Sequence, residues 1–182
     1  MKVARLAVPD VMLFTSTVHS DDRGYFMEVW HESRFAAAGL NARFVQDNQS
    51  GSRHGTLRGL HYQVERPQGK LIRVVSGEIF DVAVDLRETS PTFSRWVATR
   101  LRADDRQQLY VPPGFAHGFL VTSESAEVSY KCTDYHFPER ERTLSWNDPT
   151  LGIEWPLPPG ILPLLSAKDR AGKRFTDADT YP

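Results

Sequence analysis

Ile79-Phe80-Asp81-Val82-Ala83-Val84-Asp85 alternates at a period of two. Successive side chains of a strand point to opposite faces, so this stretch sets Phe80, Val82 and Val84 on one face and Asp81, Ala83 and Asp85 on the other. Working outward, Leu71–Val75, Trp96–Leu101, Gln108–Val111, Phe119–Thr122 and Ala126–Thr133 read as further strands, separated by Gly, Pro, Asn and Asp turns. Short strands with regular turns predict an all-β fold, an antiparallel sandwich or barrel rather than βαβ units. One short helix is expected at His31–Ala38, stopped by Gly39. The tail beyond Pro156 is rich in proline, and Ser166-Ala167-Lys168-Asp169 can open a terminal helix. There is no repeat of about 20–50 residues and no low-complexity tract, so a single domain is expected over residues 1–182.

The length of 182 residues suits one domain with its own core and is short for two. With 40% apolar and 25% charged residues, the chain fits neither a disordered nor a membrane-embedded class. No apolar run approaches the ~20 residues of a membrane span. Met1-Lys2-Val3-Ala4-Arg5 lacks the apolar stretch of a signal peptide. A formal net charge of -1 gives no electrostatic reason to expect nucleic acid as a partner. Cys132 is the single cysteine, which precludes an internal disulfide. Together these features predict a cytoplasmic protein that binds neither nucleic acid nor membrane.

Three polar stretches interrupt the strand-like sequence. In Gly55-Thr56-Leu57-Arg58-Gly59-Leu60-His61-Tyr62-Gln63, strict alternation puts Leu57, Gly59, His61 and Gln63 on one face. Small Gly59 beside a histidine suggests room for a ligand, and a core histidine with a satisfied hydrogen bond fits the pattern equally well. Pro112-Pro113-Gly114-Phe115-Ala116-His117-Gly118 marks a sharp turn that delivers His117 into the following strand. The two stretches resemble the paired motifs of the cupin superfamily, small double-sheet jelly rolls. Metal-binding cupins usually carry His-x-His in the first motif, but here Gln63 stands at the second position, so the pattern favours a metal-free pocket. In Val128-Ser129-Tyr130-Lys131-Cys132-Thr133, the more apolar face holds Val128, Tyr130 and Cys132 and is expected to point inward. Tyr130 is then a buried structural tyrosine or a proton donor. Lys70 shares parity with Ile72 and Val74, which aims an ammonium inward unless the strand's start leaves it solvated.

Ten motifs in register resemble the dTDP-4-dehydrorhamnose 3,5-epimerase family. They run from Asp22-Arg23-Gly24 with Glu28 and Gln46-Asp47-Asn48, through Leu57–Gln63, Gln68-Gly69-Lys70-Leu71, Asp81–Asp85 and Ser90-Pro91-Thr92-Phe93. Gly114–Phe119, Tyr130-Lys131, Trp146-Asn147-Asp148-Pro149 and Ser166–Asp169 complete the series. The resemblance implies a cofactor-free jelly-roll enzyme of deoxysugar synthesis, acting on dTDP-4-dehydro-6-deoxyglucose as a homodimer with an exchanged N-terminal strand. It implies His61 as base, Asp169 as its carboxylate partner, Tyr130 as the acid on the opposite face of the sugar, and Lys70 as the cation at the keto oxygen. Arg23, Glu28, Gln46, Asp47, Asn48, Arg58, His117, Glu141 and Lys168 match nucleotide- or sugar-contacting positions. Arg23 and Glu28 would reach into the partner's site.

Such chemistry needs these groups. Inverting a carbon beside a ketone requires a base of near-neutral pKa, a charge to hold the enolate, and an acid on the far side. Pattern alone leaves three of the assignments open. Ser166-x-x-Asp169 is also a helix-capping pattern, Glu141 lies in a run of charges, and Arg58 and His61 differ by an odd number and should face apart. Many relatives carry an aromatic residue where this chain has His136, and often His where it has Gln49. A C3-only epimerase, a metal-dependent oxygenase and a catalytically silent sugar-binding jelly roll are the competing readings.

Overall fold

The computed structural model describes residues 1–182. Its strands are β1 (Lys2–Arg5), β2 (Met12–Thr15), β3 (Val18–Asp21), β4 (Gly24–Met27), β5 (Gln46–Arg53), β6 (Leu57–Gln63), β7 (Lys70–Ser76), β8 (Glu78–Asp85), β9 (Trp96–Arg102), β10 (Gln107–Val111), β11 (Phe115–Val121), β12 (Ser125–Cys132) and β13 (Glu141–Thr143). Two short helices accompany them, α1 (Glu32–Ala37) and α2 (Ala167–Arg170). A six-stranded sheet runs β1-β2-β10-β7-β12-β5, a five-stranded sheet runs β13-β6-β11-β8-β9, and β3 and β4 form a separate hairpin. All of these strand pairings are antiparallel. The two large sheets face each other as a cupin-like jelly roll, the all-β class that the alternation predicts.

The inter-sheet core fills one end of the sandwich. Ile72, Val74, Leu109, Val111 and Val128 from the larger sheet meet Ile79, Ala83, Val97, Leu101 and Phe115 from the smaller. At the other end polar side chains replace these, and a cavity opens between the sheets.

The stretch 79–85 is buried on both faces. Ile79 and Ala83 point into the inter-sheet core. Val82 and Val84 lie on the outer face, in a second cluster with Leu60, Tyr62, Leu144 and Leu151, covered by Trp155, Phe175 and Tyr181 of the C-terminal tail. Asp81 and Asp85 are therefore not a solvated face. A buried carboxylate must be paired, and each of these is. Asp85 binds Arg87 at 2.7 Å and accepts from Ser90 and Thr92 at 2.6 Å. Asp81 binds His117.

Helix α1 falls inside the expected span and ends as expected, with Gly39 at φ +95° just beyond it. Six residues cannot hold a helix unaided. Phe35 holds it, fully buried on the outer face of the larger sheet with its ring 5.1 Å from Phe14 and 4.7 Å from Trp30. Burial of one such ring stabilises by about 1.5–3 kcal/mol. The expected terminal helix is a single turn, α2, capped by Ser166. No helix is long and apolar enough to cross a membrane.

Candidate active site

The two sheets supply opposite walls of one cavity of about 330 Å³. Gln46, Asn48 and Ser50 of β5, Lys70 of β7, and Tyr130 and Cys132 of β12 form the wall of the larger sheet. Arg58, His61 and Gln63 of β6, His117 and Phe119 of β11, and Glu141 of β13 form the other. His136 and Lys168 stand at the mouth, about half exposed.

Arg58 and His61 share this cavity despite their odd spacing. In the β6–β11 ladder His117 pairs with His61 and Phe119 with Arg58, so Gly59 and Leu60 oppose Gly118 alone. That β-bulge adds one residue and reverses the parity, which puts both side chains on the inner face. Gly59 sits at φ +124°, and a Cβ there would lie 2.5 Å from the Gly118 Cα. The space beside Gly59 is thus filled by backbone, not held open for a ligand as the small residue suggests. What the glycine provides is the bulge itself.

His61 Nε2 lies 2.5 Å from Asp169 Oδ1. The same aspartate donates its backbone N–H to Ser166 Oγ at 3.1 Å, and Ser166 Oγ donates to Asp169 Oδ2 at 2.7 Å. The two readings of Ser166-x-x-Asp169 are therefore both realised: the serine caps α2, and the cap fixes the carboxylate against the imidazole. Burial raises the Asp169 pKa, but the His61 and Ser166 bonds outweigh it and hold the carboxyl below its ordinary range. An ionised carboxylate at Nε2 holds the proton on that nitrogen and leaves Nδ1 with the lone pair a base needs.

Lys70 is 8% exposed, so it is not the solvated lysine that its place at the strand's start allows. Burial depresses its pKa below the ordinary lysine range. Tyr130 faces inward with Val128 and Cys132 on β12, as the alternation predicts, and burial raises its pKa so the phenol keeps its proton.

Glu141 separates from its charged neighbours. Its carboxylate lies 2.9 Å from Lys168 Nζ and 3.6 Å from His136 Nε2. Burial works against ionisation, but Lys168, His61 and His136 prevail and its pKa falls. Arg58 donates to Ser52 Oγ at 2.9 Å and to the Gly51 carbonyl at 3.3 Å. Gln46 donates to Asn48 Oδ1 at 3.0 Å, and Asn48 donates to Cys132 Sγ at 3.5 Å.

Four of the residues matched to the family do not line the cavity: Asp169, which stands against His61, and three that lie away from it. Asp47 alternates to the outer face of β5 and pairs with Lys131 at 2.9 Å. Arg23 is exposed on the β3–β4 hairpin against Asp21, and Glu28 pairs with Arg34 at 3.1 Å.

Asp81 was given no role by pattern. Its two oxygens lie 2.9 Å from His117 Nε2, which fixes that ring in the cavity wall. The signal was an acidic residue in a strand whose other side chains are apolar, and its partner came from a strand far along the chain. Gln63, in the place of a cupin metal ligand, has its amide committed to backbone. It donates to the carbonyls of Arg66 at 2.6 Å and Tyr135 at 3.2 Å, and accepts from the Phe137 N–H at 2.8 Å. Ser50, a further lining residue, lies in no stretch that the sequence marks for a site.

The family model described as dTDP-4-dehydrorhamnose 3,5-epimerase matches residues 5–177. A dTDP-4-dehydrorhamnose 3,5-epimerase from Pseudomonas aeruginosa is 56% identical over 183 aligned positions, covering 100% of each chain. Among solved structures, the dTDP-6-deoxy-D-glucose-3,5-epimerase of Legionella pneumophila, in complex with dTDP-4-keto-L-rhamnose, superposes with a TM-score of 0.93 at 44% identity and covers 98% of this chain and 94% of its own. A 3'-monoepimerase from Streptomyces bikiniensis, in complex with dTDP-quinovose, gives a TM-score of 0.86 at 34% identity over 94% of this chain and 87% of its own. With a jelly roll of matching shape, full-length identity and a histidine–aspartate pair facing a tyrosine across one cavity, the chain belongs to the dTDP-4-dehydrorhamnose 3,5-epimerase family.

Proposed function

We propose that this enzyme inverts C3 and C5 of dTDP-4-dehydro-6-deoxy-D-glucose to give dTDP-4-dehydro-L-rhamnose, using side chains alone and no metal or cofactor. One observation carries the assignment of roles: an imidazole and a phenol come from facing sheets into one cavity, with a buried ammonium on its wall.

His61 takes the proton from the carbon beside the C4 ketone. The C–H bonding pair becomes the new C=C bond, the carbonyl π pair moves onto oxygen, and that enolate oxygen gains the charge of Lys70. The imidazolium is stabilised by Asp169. Tyr130 then delivers its phenolic proton to the opposite face of the same carbon, which completes the inversion, and solvent restores both groups. Repetition at the second carbon needs only that the sugar present it to the same pair. Arg58 and Lys168 supply cations for the diphosphate. Gln46, Asn48, His117 and Glu141 orient the sugar and nucleotide.

The whole chain acts as one domain, and the working form is a homodimer with an exchanged N-terminal strand. Within this chain β1 is an exposed edge, and the β3–β4 hairpin holds out Tyr25 and Phe26, the latter 71% exposed. Those features support a partner that receives Arg23 and Glu28. The proposed compartment is the cytoplasm, and neither nucleic acid nor membrane is among the proposed partners.

Turnover in heavy water is expected to place deuterium at C3 and C5, read by NMR of the product. Label at C3 alone would reduce the activity to that of a mono-epimerase, the second reading that the Streptomyces relative favours. Tyr130→Phe is expected to separate the two halves of the reaction. Substrate should still exchange its proton for deuterium through His61, while product formation falls by about 10²–10⁴-fold. Equal product formation by Tyr130→Phe and the parent would remove the acid from Tyr130.

A further inference from the structure

The cavity's charged groups are almost all engaged. Asp169 holds His61, Asp81 holds His117, Lys168 holds Glu141, and Arg58 rests on Ser52 and a backbone carbonyl. Lys70 stands apart. It is nine-tenths buried, lines the cavity, and forms no ion pair or hydrogen bond with another side chain; the carboxylate that acts on it from the facing sheet, Glu141, is itself paired with Lys168. An ammonium in that position is costly, and folded proteins rarely tolerate one without a partner.

The reason for the vacancy lies across the strand pair. In the β12–β7 ladder the residue opposite Lys70 is Cys132, on the same inner face. Directly opposed side chains have their Cβ atoms about 4.5–5.5 Å apart, so this is the position from which a short carboxylate would capture the ammonium. Cys132 is 1% exposed and is held by the Asn48 amide at 3.5 Å, so it fills the place completely while offering no formal charge. The Asn48 amide also turns its donor, not its acceptor, toward this corner.

We propose that Cys132 is a positioning residue for Lys70: it occupies the cross-strand counter-ion place with a neutral side chain, so that no carboxylate pairs with the ammonium before the enolate oxygen of the reacting sugar does. The inference rests on the epimerase reading given above. Its physical content is that only interactions stronger in the transition state than in the free enzyme raise the rate. An ammonium already paired with a carboxylate would have that attraction before substrate arrives, and the enolate would have to compete for it.

The test compares two substitutions of nearly identical shape in the full-length enzyme, Cys132→Asp and Cys132→Asn, which differ by one charge. For each, kcat and KM are measured with dTDP-4-dehydro-6-deoxyglucose, and the affinity for dTDP alone is measured by calorimetry. Cys132→Asn and Cys132→Ser should keep kcat within about tenfold of the parent. Cys132→Asp should lose about 10²–10³-fold in kcat, the range for removing a preorganised charge from a developing oxyanion, while dTDP affinity changes little. Should the Asp chain fail to fold, Cys132→Glu against Cys132→Gln carries the same comparison. Equal losses in the charged and neutral variants would overturn the proposal, as would a fully active charged variant. An inactive parent enzyme would remove the epimerase reading and this one with it, which separates that failure from a failure of Cys132 alone.

Discussion

Replacing His61 with alanine is expected to abolish deuterium exchange at both carbons of the sugar while leaving the jelly roll folded. The imidazole combines an available lone pair with a carboxylate, held by the Ser166 cap, that stabilises its protonated form. Without it the carbon acid loses the base that this reading assigns to it. General base catalysis is typically worth about 10²–10⁴-fold, and here both inversions pass through the same ring, so product should fall by at least that factor. His61 belongs to none of the three apolar clusters, so the sheets should stay folded, with the melting temperature lowered by the loss of the partner to the buried Asp169. Measurable exchange at either carbon in His61→Ala would mean that a second base serves that position. Product formation at the parental rate would end the assignment.

Lys70→Met should give two changes of opposite sign. Methionine fills a similar volume without charge. The activity, kcat/KM, should fall by about 10²–10³-fold because the enolate loses its cation. The melting temperature should rise, because a buried ammonium without a partner is replaced by an apolar group. The pH profile provides a further check. Burial holds the Lys70 pKa below the ordinary lysine range, so the ammonium is present at low pH and is lost as pH rises through that depressed value. The parental kcat/KM should therefore decline on the basic side earlier than an ordinary lysine would allow. The raised pKa of Tyr130 keeps the acid protonated over that window. Lys70→Met should lack this limb. If the limb persists unchanged, the ammonium is not the group that sets it.

The elements that carry the fold were legible because their pattern is local. Alternation identified 79–85 and 126–133 as strands, and Gly39 closed the helix where expected. What local pattern could not supply was the partner on the far side of each residue. The face holding Asp81 and Asp85 reads as polar, yet both side chains are buried, because their partners are His117 and Arg87. Parity placed Tyr130 correctly, since β12 is regular at that point. It separated Arg58 from His61, because a bulge is visible only in the pairing of two strands. The motif match carried Asp47 along with its neighbours, but alternation in a regular strand sends it outward while Gln46 and Asn48 turn in. The arrangement of Asp169 needed the fold most of all. Its serine cap is written in four consecutive residues, but the histidine it holds lies 108 positions earlier.

That distance along the chain makes the tail a latch on the reaction. The barrel can close with Leu164 bridged to Thr56 and Lys173 bridged to Leu144, and only the single turn between those two bridges brings Asp169 to the imidazole. A chain without the turn at Ala167–Arg170 would keep His61 without its carboxylate partner. The reacting pair is thus assembled from two distant segments, and it exists only where the tail has docked against β6.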